Sequence, residues 1–355
     1  MKILHSADWH LDSPLQGRTP EQTAYLKTAL LRIPQMVADL AIRESCDLML
    51  LSGDLFDGSY TAASLEALRE ALSSLRIPVV IAPGNHDYIG AGSPWLTASW
   101  SGNVHIFQKN RMESISIPSL NCRIYGAAFT APVCQPLLEG FRAECSEQYA
   151  IGLLHGDPTG AASPYCPISE AQVRESGLDY LALGHIHKQG SFQAGDTLCI
   201  WPGSPMGRGY DEQGQHGVVI AELDGGSRFR FLPLDLPGFH RIRLEATDDP
   251  LTALNSCLGA VGNNDFYQIT LTGEWEPPDL GALRTALSRF PNLELIDGTR
   301  PPTDLWATAG EDSLEGVFFG KMREDLENAP VDREKILLAA RISRLLLSGR
   351  EVELP

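Results

Sequence analysis

Five short blocks within residues 1–187 carry the side chains that could do chemistry: Asp8-Trp9-His10, Gly53-Asp54, Gly84-Asn85-His86-Asp87, His155-Gly156-Asp157 and Gly184-His185-Ile186-His187. Each follows a short apolar run and so falls where a strand would open into a loop. Carboxylate, imidazole and amide oxygen together suit divalent manganese, iron or zinc, and no block offers a thiolate for a structural zinc site. Two such ions about 3.5–4 Å apart need a bridging carboxylate, and Asp54, alone in its block, is the candidate. The period of two along a strand predicts that Asp8 and His10 face one way, and that His185 and His187 do the same, one for each ion. His86, beside Asn85, is expected to face phosphate, where it would hydrogen-bond developing charge or protonate the leaving oxygen. The ordered set points to a two-metal hydrolase of phosphate esters.

Rigid strands must hold those blocks. The runs at 2–4, 48–52, 79–82, 150–154 and 180–183 are continuously apolar, as in strands buried on both faces under helices. Thr19-Pro20-Glu21-Gln22 predicts a capping box with proline at the first helical position, opening a helix toward Arg43 with a break or kink at Pro34. A second helix fits 62–74, and further strands fit 113–117, 123–128, 197–201, 217–223 and 228–232. The expected fold is α/β: a sandwich of two sheets flanked by helices over residues 1–236, with the catalytic loops along one edge. Beyond Pro237-Gly238, strands at 240–245, 266–272 and 293–296 alternate with helices at 250–258 and 280–288, predicting a small α+β domain over 237–300. Residues 301–355 predict a linker and a helical hairpin, about 313–327 and 333–347. Leu338, Ile342, Leu345 and Leu346 form one apolar face on its second helix, which either folds back on the body or docks on another protein.

The five blocks resemble the motifs of the calcineurin-like metallophosphoesterase superfamily. The opening Ile3-Leu4-His5-Ser6-Ala7-Asp8-Trp9-His10-Leu11-Asp12-Ser13-Pro14-Leu15 is similar to DNA repair exonucleases of the SbcD type, and so is Trp201-Pro202-Gly203-Ser204-Pro205-Met206-Gly207-Arg208-Gly209. The resemblance implies Asp8, His10, Asp54 and His187 around one metal, Asp54, Asn85, His155 and His185 around the other, and His86 as the catalytic histidine. It also implies manganese, a homodimer, a cap formed by the small α+β domain, and C-terminal helices docked on the coiled coil of an SbcC-type ATPase. Arg208, in a glycine-rich loop after the last histidine pair, is the candidate for substrate phosphate.

Composition sets limits on this reading. The chain has 355 residues, 43% hydrophobic and 21% charged, enough for a large core and incompatible with general disorder. Its seven cysteines are scattered without a Cys-x-x-Cys, as expected of reduced thiols in the cytoplasm. No apolar run approaches a membrane span, and a cleaved leader would remove Asp8 and His10. The net charge of −17 excludes a strong, stand-alone, non-specific DNA binder and leaves open a phosphodiesterase or phosphatase acting on a small nucleotide. Two divalent ions against Asp8 and Asp54 would leave a local charge of about +2, so anion attraction can be local or come from a partner. His5 is expected to pack in its strand near the site, and His105, His216 and His240 to lie at the surface or in turns. Asp57, Asp87 and Asp157 either orient a histidine or serve their own loops.

Overall fold

In the computed structural model the described residues are 1–144, 146–160, 162–245, 249–259, 264–274, 278–300, 304–328 and 333–347. The chain runs β1 (Lys2–Ser6), α1 (Pro20–Arg43), β2 (Leu48–Leu51), α2 (Ala62–Ser73), β3 (Val79–Ile81), α3 (Pro94–Thr97), β4 (Val104–Ile106), β5 (Glu113–Ile117) and β6 (Cys122–Gly126). Then come β7 (Tyr149–His155), α4 (Glu170–Glu175), β8 (Tyr180–Gly184), β9 (Gly190–Ala194), β10 (Thr197–Trp201), β11 (Gly217–Leu223) and β12 (Ser227–Pro233). The remainder is β13 (Phe239–Glu245), α5 (Pro250–Leu258), β14 (Phe266–Glu274), α6 (Leu280–Ala286), β15 (Leu293–Arg300), α7 (Leu314–Asn328) and α8 (Arg333–Leu347).

Two six-stranded sheets, ordered β12-β11-β1-β2-β3-β4 and β5-β6-β7-β8-β10-β9, make the sandwich. Alternate residues of each central strand enter different cores. Ile3, Leu48, Leu50 and Val80 meet Ile124, Ile151, Leu153 and Ala182 between the sheets. Leu4, Met49, Leu51 and Ile81 pack outward on Leu26, Leu30, Ile33 and Val37 of α1 and Leu68 and Leu72 of α2. That two-sided burial is why the strand segments are unbroken apolar runs.

Parallel pairing brings the motif-bearing strand ends level: Ser6 lies opposite Leu51, Leu51 opposite Ile81, and His155 opposite Gly184. Helix α1 opens with the expected capping box at Thr19, but it is one helix of 24 residues that carries Pro34 in its interior without a break.

The chain divides into two compact units. The first comprises Met1–Arg241 with Gly262–Tyr267 and Phe290–Asn292, and the second comprises Ile242–Val261, Gln268–Arg289 and Leu293–Pro355. Strands β13, β14 and β15 form a three-stranded sheet in that order. In the second unit Phe319 and Ala340 join α7 to α8 over Leu305, within the stretch expected to be a linker, of which 301–303 lie outside the described residues. Leu338 and Leu346 of the expected apolar face are exposed and Ile342 is half-buried, while Leu345's side chain lies outside the described residues. Among the described residues no helix is long and apolar enough to cross a membrane, and six cysteines are free thiols; Cys145 lies outside them.

Candidate metal centre

The loops after β1 and β2 are zipped together by backbone. Asp8 N donates to Gly53 O at 3.0 Å, His10 N to Asp54 O at 2.9 Å and Leu11 N to Leu55 O at 2.9 Å. Both loops lie past the strand ends, so strand alternation does not aim their side chains. Left-handed backbone does: Asp8 has φ 55°, His10 46°, Asp54 53° and His185 91°. Non-glycine residues held there cost about 1–3 kcal/mol each, and the surrounding hydrogen bonds must over-determine them. Gly84 must be glycine, because a Cβ would strike the Asp54 carboxylate and His155.

Three aspartates of undecided role separate cleanly. Asp87, buried, accepts from Gly84 N (2.7 Å), Leu55 N (2.8 Å) and Asp54 N (3.2 Å), tying the second loop to the third. Asp157 serves its own turn, accepting from Thr159 N at 2.8 Å and Gly160 N at 3.1 Å. Asp57 alone orients histidines, with Oδ1 2.7 Å from His86 Nδ1 and 3.3 Å from His10 Nδ1.

The expected ligands converge from both sheets. Asp8, His10 and His187 bring ligand atoms within 4.8 Å of one another, and so do Asp8, Asp54 and His155. A third such group joins His10 and Asp54 to His86, and Asn85 Oδ1 lies 2.8 Å from His155 Nε2. His185 is placed differently: its ring lies against Tyr165, centroids 4.8 Å apart, and its backbone N donates to Asp8. It belongs to none of the three groups, so His185 and His187 do not enter the cluster as an equivalent pair. Burial works against charge on His155, yet Asp54 and Asp8 push its pKa up to about 9. Burial likewise opposes ionisation of Asp54, but His155, His10 and His86 hold its carboxyl well below the usual range.

Sequence reasoning missed Glu212, whose Oε1 lies 2.7 Å from His187 Nδ1. It stands 25 residues beyond its partner with no motif around it, and only the return of the loop brings it back. Arg208, expected to reach substrate, bonds Glu212 Oε1 through Nη2 at 3.0 Å. His216, expected at the surface or in a turn, lies half-buried in the loop before β11, with Ser204 O and Glu212 O each 3.0 Å from its ring nitrogens. His5 is buried between the sheets, against Ser52 Oγ (2.7 Å), Tyr180 OH (2.9 Å) and Leu183 O (3.1 Å).

Residues 1–189 match the profile of the calcineurin-like phosphoesterases. The chain belongs to that family. That family is one of phosphoester hydrolases that use a dinuclear metal site. The chain is 34% identical over 242 residues to the uncharacterized metallophosphoesterase YhaO of Bacillus subtilis (strain 168), a match covering 64% of this chain and 58% of that protein. A dimetal phosphatase from Danio rerio is similar over 63% of this chain and 93% of its own, at 15% identity and TM-score 0.42. An archaeal phosphodiesterase is similar over 65% and 100%, at 16% identity and TM-score 0.35.

The donor set of this phosphoesterase fits two divalent ions. Nδ1 of His10 faces Asp57 and Nδ1 of His187 faces Glu212, so each Nδ1–H is donated to a carboxylate. In that tautomer the two Nε2 atoms, 3.1 Å apart, each present a lone pair that a shared cation could draw. His155 Nδ1 donates to Ser52 O at 2.8 Å, which turns its Nε2 toward Asp54 and Asn85 in the same way.

Proposed function

We propose that this phosphoesterase is a nuclease that cleaves DNA phosphodiesters together with a coiled-coil ATPase of the SbcC type. The observation that carries the hydrolytic part is the gathering of Asp8, His10, Asp54, His155 and His187 around shared points, with His86 the most exposed member at 44% of its side chain. In this proposal Asp8, His10 and His187 would hold one ion, Asn85, His155 and His185 the other, and Asp54 would be shared between them. Bound ions supply Lewis acidity toward the phosphoryl group. His86, held by Asp57, donates its proton to the leaving oxygen. Manganese is the expected metal, with iron or zinc as alternatives.

The DNA assignment is supported by the likeness of residues 3–15 and 201–209 to SbcD-type exonucleases. The acidity of the chain, −17, favours the second reading, a small-nucleotide phosphodiesterase. A partner reconciles acidity with a DNA substrate, because phosphate neutralisation then falls to the ATPase. Exposed Leu314, Val317 and Leu346 on α7 and α8 offer an apolar surface for it. A homodimer and a cytoplasmic location complete the proposal. The test is to assay the Mn2+-loaded chain side by side on linear duplex DNA, single-stranded DNA, cyclic nucleotides and a bis-aryl phosphodiester, with and without the ATPase. DNA cleavage enhanced by the ATPase is expected; turnover of cyclic nucleotides with no cleavage of DNA would establish the second reading.

A further inference from the structure

The loop after β10 folds around His187 at every level of that residue. Ser204 N donates to His187 O at 3.0 Å. Gly203, at φ 76°, lies so close to that same carbonyl that a Cβ would meet it at 2.5 Å. Glu212 then takes the ring: Oε1 accepts from His187 Nδ1 at 2.7 Å and from Arg208 Nη2 at 3.0 Å, while Oε2 accepts from Arg208 N at 2.9 Å. His216 fastens the loop to itself through Ser204 and the Glu212 carbonyl. On its other side, Arg208 Nη1 stands 4.0 Å from Asp57 Oδ2. The guanidinium therefore sits between two carboxylates, and those two carboxylates hold the Nδ1 atoms of His10, His86 and His187.

We propose that Glu212 and Arg208 are positioning residues: Glu212 fixes the ring and tautomer of His187 so that Nε2 faces the cluster, and Arg208 locks Glu212 and Asp57 at one spacing. Arg208 thereby acts through the histidines and not on substrate phosphate. Two carboxylates this near a metal centre would repel one another and drift toward the ions as rival ligands. A planar cation bonded to one and beside the other keeps both aimed at imidazole nitrogens. A lysine, a single point charge on a flexible stem, could bond Glu212 but not reproduce the planar fork.

The inference rests on the cluster being a metal centre, and the same experiment reports on that separately. Metal-free protein is titrated with Mn2+ and free Mn2+ is followed by electron paramagnetic resonance, for wild type, Glu212→Ala, Glu212→Gln, Arg208→Ala, Arg208→Lys and the double alanine variant. Saturable binding by wild type is expected, and its absence would remove the metal centre itself. Glu212→Ala and Arg208→Ala should each weaken binding about 10–100-fold, the usual worth of a group that orients a ligand. The double variant should be scarcely worse than Glu212→Ala, because both act through His187. Glu212→Gln keeps an oxygen for His187 but turns an amide N–H on Arg208, so it should fall between wild type and Glu212→Ala, as should Arg208→Lys. These two variants carry the test if an alanine variant fails to fold, which thermal melts of the metal-free proteins report. At saturating Mn2+, KM for a bis-aryl phosphodiester should change less than about twofold while kcat falls. Unchanged Mn2+ affinity in the Arg208 variants together with a raised KM would overturn the proposal and return Arg208 to phosphate binding.

Discussion

The Asp57 carboxylate lies 2.7 Å from Nδ1 of His86, and that bond holds the histidine's pKa above its usual value. A histidine that donates a proton to the leaving group is active only while protonated, so activity falls as pH rises through its pKa. Removing Asp57 lowers that pKa. Asp57→Asn should therefore move the alkaline limb of kcat to lower pH on a dinucleotide, whose leaving alkoxide needs the proton. His86→Asn should keep both metals and lose about 10²–10⁴-fold in kcat on the dinucleotide, and much less on a nitrophenyl ester with its better leaving group. Equal losses on the two substrates would show that His86 does not act as the acid.

Metal binding should be coupled to proton release at His155. In the metal-free site its pKa is pushed up to about 9, so it is protonated at neutral pH. A cation needs the Nε2 lone pair and must expel that proton. Apparent affinity should thus weaken as pH falls below about 9, by up to about tenfold per unit for the one proton. Mn2+ titrations at several pH values, in buffers of differing ionisation enthalpy, check both the slope and the protons released. A flat profile would place His155 outside the coordination sphere.

His5 carries a different pH signature. Burial drives its pKa down to about 3, against about 6.5 in the unfolded chain. Above pH 6.5 both states are neutral and its three hydrogen bonds stabilise the joint between the sheets. Below that the unfolded state takes up a proton that the folded state refuses, so stability falls with pH until about 3. In urea melts of metal-free protein at pH 7.5, His5→Gln should cost about 1–3 kcal/mol, since Ser52 and Tyr180 lose a buried partner. At pH 5 the gap to wild type should narrow. A gap constant from pH 7.5 to 5 would mean that His5 takes up its proton equally in the folded and unfolded states.

How much was legible beforehand follows from what each signal depends on. The unbroken run Leu48–Leu51 announces a strand with two buried faces, and Thr19 with Gln22 announces a helix start; both are local chemistry. Strand β4 has three half-buried residues and β9 reads Gly-Ser-Phe-Gln-Ala, so neither carries a pattern until its neighbours define it. The ligand motifs were visible because each sits at or just past a strand end. What aims them was not, since the left-handed backbone at Asp8, His10 and Asp54 is imposed by the hydrogen bonds between loops. Asp57 was one aspartate among several, and only its closeness to His86 separates it from Asp87, whose partners are backbone amides. Glu212 lay beyond reach, because no periodicity links residue 212 to residue 187.

The C-terminal helices divide their apolar side chains between a buried junction and an exposed set. Phe319 and Ala340 are buried against Leu305, whereas Leu314, Val317 and Leu346 are 90%, 67% and 62% exposed. Exposed positions tolerate substitution within about 0.5 kcal/mol, so Leu314→Lys, Val317→Lys and Leu346→Lys together should leave the melting temperature nearly unchanged. Replacing Phe319 by alanine should instead cost about 3–5 kcal/mol, since it empties the junction of the two helices. If the exposed set docks on a coiled-coil ATPase, the triple lysine variant should keep full turnover of a bis-aryl phosphodiester while failing to co-purify with that ATPase. Loss of assembly with intact turnover is the expected result, measured by pull-down and steady-state kinetics on one preparation. Undiminished co-purification would remove this surface from the interface, and a collapse of stability would show that these side chains belong to the unit's own core.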